Sequence, residues 1–180
     1  MIRRRTLLAG AAALAAGPAR AATLGDDGMW HEAWFTESFL DLRDDLATAT
    51  AAGKRLVVMW ELRGCPYCRE THQVNFADPA IADYVQSNFD VVQLDVIGAR
   101  PVTFPDGTRL PEKAQAAGQR IEGTPGFQFF AGAGERVAPG VEVARFGGYV
   151  KPVPFVAFFR FVRERGYERG SLQDWMMRQQ

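Results

Sequence analysis

Cys65 and Cys68 are the only cysteines in the 180-residue chain, with Pro66 and Tyr67 between them. A sulfur pair at that spacing can close a disulfide, reopen it, or hold a soft metal. As a structural staple it would do little, because the closed loop is tiny and removes little freedom from the unfolded chain. As chemistry it suits thiol–disulfide exchange: one thiolate attacks a partner's sulfur, and the second thiol resolves the mixed disulfide. The reading is therefore Cys65 as nucleophile and Cys68 as resolving thiol.

The flanking residues give the elements that must position the pair. Arg55 to Trp60 is a short, Val-rich apolar run, which predicts a strand covered on both faces. Gly64 and Pro66 turn the chain, and Tyr67 to about Asn75 reads as a helix. Cys65 then sits at the helix N-terminus and Cys68 one turn further on. The free N–H groups and positive dipole end of the first turn favour a thiolate. The Cys65 pKa is thus expected to fall to between about 3.5 and 7.5. Arg63 and Arg69 act in the same direction. Cys68 is expected to lie deeper, with a higher pKa.

The rest of the chain reads as one ordinary globular domain, 47% hydrophobic and 23% charged. Residues 22–35 form a lead-in, with Trp30 and Trp34 expected to pack onto the domain. Ser38 and Asp41 resemble a capping box for a helix from Phe39 to Ala52, with Phe39, Leu42 and Leu46 on one face. Asp78-Pro79 opens another helix, with Ile81, Tyr84 and Val85 inward. A strand follows over 90–96, a hairpin over 102–110 and a short helix over 111–119. Strands over 126–131 and 142–146 come next. A long helix from about Pro154 carries Phe155, Phe158, Phe159 and Val162, and a tail helix over 171–178 could dock Leu172 and Trp175.

Residues 1–21 differ in kind. Arg3, Arg4 and Arg5 precede an apolar run from Leu7 to Gly17, and Ala19-Arg20-Ala21 is a small-x-small cleavage site. This predicts a signal peptide and a periplasmic destination, since the run is too short to span a bilayer. Arg4-Arg5-Thr6-Leu7-Leu8 resembles a twin-arginine signal, although Arg3 stands where Ser or Thr is usual; a general secretory signal and an uncleaved anchor are the alternatives. Removing residues 1–21 takes away four arginines and no acid, leaving 17 basic and 21 acidic residues and a net charge of −4. That balance offers no nucleic-acid surface. An exported chain stapled by disulfides would carry more cysteines, which again favours chemistry over framework.

With the pair on a strand-to-helix turn, and Gly123-Thr124-Pro125 leading into a later strand about 57 residues after Cys68, the chain resembles the thioredoxin superfamily over residues 39–165. The resemblance implies an α/β thioredoxin fold, a mixed β-sheet with helices on both faces, in a single domain over residues 22–180. It implies that Pro125 is cis and faces the cysteines. Pro66, Tyr67, Thr124 and Pro125 would then contact the substrate, with Thr124 offering its backbone to an extended partner segment. Asn75 to Pro79, the 102–110 hairpin and the export signal are similar to periplasmic thioredoxin-like proteins of sulfur-oxidation systems, the SoxW and SoxS types. That likeness implies a thiol–disulfide oxidoreductase enzyme, a monomer reduced by a membrane thiol donor and reducing periplasmic protein partners, with no cofactor beyond the Cys65–Cys68 disulfide. The couple would lie at roughly −270 to −180 mV, a range that spans reductants and isomerases.

Two departures from the thioredoxin pattern stand out. The buried acid six residues before the first cysteine is replaced by Met59, and its lysine partner on the next strand by Gln93. The usual proton relay for the inner cysteine is missing, unless Glu61 or a water takes its place. Two alternative functions remain. Cys-Pro-Tyr-Cys and Gly147-Gly148 resemble glutaredoxins, which would make glutathione the co-substrate. A copper- or zinc-binding, redox-inert module would use Cys65, Cys68 and His72, with His31 as a further ligand. The default for His72 is a packed or solvent-facing side chain, and no metal ligand is assigned.

Overall fold

The computed structural model describes residues 22–179. Residues 1–21, where the sequence predicts a signal peptide, lie outside them. The chain is an α/β thioredoxin fold built on strand β3, Arg55–Glu61, every residue of which is buried. Strand β4, Phe89–Asp95, runs parallel to it on one side. Strands β7, Gly126–Phe130, and β8, Glu142–Gly147, follow antiparallel on the other, giving the order β4-β3-β7-β8.

Alternation along β3 divides the core. Val57 and Met59 face one layer, with Phe76, helix α3 (Pro79–Asn88) and helix α5 (Pro152–Arg163). Leu56, Val58 and Trp60 face the other, with helix α1 (Leu42–Ala51) and helix α4 (Glu112–Gly118). In α5 the inward side chains are Phe155, Phe159, Phe161 and Val162, with Phe158 half-buried. Each buried Phe contributes about 1.5–3 kcal/mol of transfer free energy. The hairpin pairs β5 (Pro101–Thr103) with β6 (Arg109–Pro111). Helix α6 (Leu172–Met177), capped by Ser171, brings Trp175 into the α5 layer.

Two local expectations need correction. Helix α1 begins at Leu42 with Asp41 as its cap, and Phe39 is exposed instead of lying on the core face. The cause is Leu40, which adopts a left-handed φ of 63° while its carbonyl accepts from Thr103 N–H. That kink ends any helical path before Asp41. Ser38 accordingly caps nothing: its hydroxyl accepts from Leu40 N–H and donates to Asp45.

The helix after the cysteines is also not uniform. Helix α2 covers Pro66–Glu70, and a wider π-type turn over Thr71–Asn75 continues it, closed by Phe76 N–H donating to Thr71 C=O at 3.0 Å. The lead-in forms a small ribbon, β1 (Thr23–Leu24) with β2 (Trp30–His31), lying over the β4 edge. Trp34 and Phe35 pack against the α3–α5 layer.

Candidate active site

Strand β3 delivers the chain to the site at Glu61. The loop beyond it is tied by Cys65 N–H to Leu62 C=O and by Gly64 N–H to Gly28 C=O, with Gly64 at a φ of +70°. Cys65 then serves as the N-cap of α2 with extended backbone, and Pro66 takes the first helical position, where its missing N–H costs nothing. Cys65 and Cys68 are joined as a disulfide with Cα atoms 5.3 Å apart. The two sulfurs differ in access: Cys65 is 9% exposed and Cys68 2%. Pro66 and Tyr67 are exposed beside them.

Two donors converge on Cys65 Sγ. Cys68 N–H lies at 3.1 Å and Thr124 Oγ1 at 3.2 Å, and the Thr124 carbonyl oxygen is 3.6 Å away. The Thr124–Pro125 peptide bond is cis, Pro125 is buried, and its carbonyl accepts from Gly148 N–H at 2.8 Å. The structure therefore gathers Cys65, Cys68, Thr124 and Pro125 in one place, with Pro66 and Tyr67 on the rim. Donors aimed at a sulfur stabilise its charged form.

Behind the cysteines lies a polar cluster. Glu61 occupies the face of β3 used by Val57 and Met59, and His72 follows Cys68 by four residues; both are buried. His72 Nε2 is 2.9 Å from Glu61 Oε1, and Nδ1 is 2.9 Å from Glu32 Oε1. Gln93 donates to Glu61 Oε2 and, at 2.7 Å, to the Trp30 carbonyl. Phe35 and Phe76 flank the imidazole. Burial alone would lower the His72 pKa, but the hydrogen bonds and charges of Glu32 and Glu61 outweigh it and push it up to about 8. Both ring nitrogens of His72 are thus occupied by carboxylates, and His31 pairs with Asp27 at the surface. This arrangement leaves no imidazole nitrogen of His72 for a metal. Met59 is buried opposite Gln93, and Glu61, two residues further along the same strand face, supplies the acid.

The lead-in's contribution was invisible to sequence reading. Glu32 carries no motif, and only its pairing with His72 across 40 residues reveals it.

The model of the thioredoxin-like domain family matches residues 42–163, and the chain belongs to that family. Among solved structures it is similar to a thioredoxin-fold protein from Helicobacter pylori, with 14% identity and a TM-score of 0.57, over 69% of this chain and 81% of the other. It is also similar to a thioredoxin from Thermus thermophilus, with 25% identity and a TM-score of 0.51, over 68% and 83%. A further likeness is to a DsbH oxidoreductase, with 14% identity and a TM-score of 0.49, over 87% and 95%. No curated protein matches the chain.

Proposed function

We propose that the protein is an exported thiol–disulfide oxidoreductase that reduces or recycles disulfides of periplasmic partner proteins and is itself re-reduced by a membrane thiol donor. The observation that carries the reading is the asymmetry of the pair. Cys65 is the more accessible sulfur, held by Cys68 N–H and Thr124 Oγ1, while Cys68 is sealed behind it. In the reduced protein Cys65 thiolate attacks a partner sulfur, forming a Cys65–partner disulfide and expelling the partner's second thiolate. Cys68 thiolate then attacks Cys65 Sγ, closing the internal disulfide and releasing the partner as a dithiol. The two electrons move from the pair to the partner. The Cys65–Cys68 disulfide is the only redox group the cycle needs. The SoxW-type assignment and the periplasmic setting rest on the signal-like N-terminus and the resemblances in sequence.

The test is Cys68→Ser, which stops the cycle at the mixed disulfide. Exposed to a periplasmic extract, it should retain one or a few partners through Cys65 and release them with reductant. Capture of nothing, together with no insulin reduction by the unmodified protein, would remove the reading.

Glutathione as co-substrate is the second reading. A groove of about 450 Å³ runs beside the Thr124–Pro125 turn, lined by Arg120, Gly123, Arg145, Gly147 and Gly148. Glutathione carries two carboxylates and an extended backbone, which suit arginines and exposed glycine backbone. Turnover of a glutathione mixed disulfide decides between the two, and loss of that turnover in Cys68→Ser would exclude a mechanism using Cys65 alone.

A further inference from the structure

Cys68 must lose its proton before it can attack Cys65, yet it is 2% exposed and bulk water has no direct access to it. The strand position used for this purpose in thioredoxins holds Met59, which cannot accept a proton. One helical turn beyond Cys68, however, begins a hydrogen-bonded row of three buried ionisable groups, Glu61, His72 and Glu32. We infer that Glu61, His72 and Glu32 form a proton conduit that carries the Cys68 proton, at the resolving step, to a polar pocket on the far side of the cluster. The inference rests on the oxidoreductase reading above.

Three observations support it. First, His72 is four residues beyond Cys68 on the same inward helical face, a spacing that brings Cβ atoms to roughly 6 Å. Glu61 meets His72 from the strand beneath. Second, the hydrogen-bond count fixes the proton inventory. Two N···O contacts of 2.9 Å need two protons between His72 and its two carboxylates. A neutral imidazole between two carboxylates supplies one, so the cluster holds an additional dissociable proton. Imidazole can take a proton at one nitrogen while giving one up at the other. Third, the chain has an outlet. Glu32 lines a pocket of about 420 Å³ together with Asp27, His31, Glu37, Gln93 and Arg100. Its second carboxylate oxygen, Oε2, is buried without a protein partner.

The charged and polar groups facing His72 are Glu32 from the lead-in, Glu61 from β3 and Cys68 from its own helix; Gln93 from β4 holds Glu61 but does not titrate. In the step proposed, His72 releases its Nδ1 proton to Glu32 and the Cys68 S–H proton passes to Glu61. Glu32 then gives a proton to pocket water, so the cluster keeps the two protons it began with. The Cys68–Cys65 bond forms, the Cys65–partner bond breaks, and the partner thiolate leaves with the electron pair. Glu32 and His72 act through Glu61 and are positioning residues.

The experiment mixes the reduced protein with an excess of a small aromatic disulfide and follows thiolate release across pH. Release comes in two steps: capture by Cys65, then closure by Cys68. In Glu32→Gln, capture should keep its wild-type rate. Closure should slow by roughly tenfold or more near pH 6.5 and recover toward the wild-type rate as pH rises past the ordinary thiol pKa of about 8.5, where Cys68 ionises before closure begins. Glu32→Asp should restore much of the loss. Should Glu32→Gln not fold, His72→Gln gives the same readout, since glutamine can bridge both carboxylates but cannot pass a proton. A closure rate equal to wild type at every pH, or reduced by one constant factor at every pH, overturns the conduit. Absence of the capture step in the unmodified protein would instead overturn the oxidoreductase reading.

Discussion

Thr124 Oγ1 lies 3.2 Å from Cys65 Sγ, although 59 residues separate them in the chain. The hydroxyl can donate to a thiolate, so the turn before β7 contributes to the charge state of the outer sulfur as well as covering it. Hydrogen bonds to charged groups are worth about 1.5–3 kcal/mol when removed. One pKa unit corresponds to about 1.4 kcal/mol.

Thr124→Val keeps the shape and deletes the donor. The Cys65 pKa in the reduced protein should rise by about one unit, and capture of a small disulfide at neutral pH should slow in proportion to the lost thiolate. Ultraviolet thiolate absorbance against pH measures it. An unchanged titration would show that Cys68 N–H and the helix end suffice.

His72 makes stability depend on pH with a definite sign. Its pKa is raised from 6.5 to about 8 in the fold, so folding binds a proton more tightly than the unfolded chain does. The associated stability is fully present below about pH 6.5 and is lost as pH rises through about 8. Its size is about 2 kcal/mol. Denaturant midpoints measured at pH 6 and pH 9 should show that fall in the wild type and a much flatter response in His72→Gln.

The opposite end of the sheet carries a buried ion pair with no contact to the cysteines. Arg55, at the start of β3, meets Glu135 at 2.8 Å, and Tyr167 donates to the same carboxylate. Burial would raise the Glu135 pKa, but the Tyr167 and Gly132 donors and the Arg55 charge hold it below the usual carboxylate range. Arg55→Met should cost roughly 3–5 kcal/mol, because it leaves a buried carboxylate without its cation. The double variant Arg55→Met/Glu135→Leu should recover most of that loss. Denaturation curves for the wild type, Arg55→Met, Glu135→Leu and the double variant check it, and additive losses would contradict the pairing.

The elements that hold the cysteines could be read from local pattern. The Val-rich run of β3, the Cys-Pro-Tyr-Cys turn and the Thr-Pro step are each encoded within a few residues. Glu61 was also legible, as an acid close to the position Met59 leaves empty. What escaped depends on distant contacts. Phe39 looked like a core residue until Leu40 bent toward Thr103. The π-type turn at Thr71–Asn75 has the same apolar spacing as an ordinary helix. Glu32 carries no local signal in the sequence, and His72 is defined only by two carboxylates from different segments that close on it.

The family match begins at residue 42, ten positions after Glu32. A version trimmed to residues 42–163 would keep all four sheet strands, both sulfurs and the proline turn, yet strip one wall from the His72 site and expose Phe76, against which Trp34 and Phe35 pack. The piece that the family match spans therefore lacks contacts that complete the His72 site and cover Phe76, and expression boundaries should be drawn no later than Ala22.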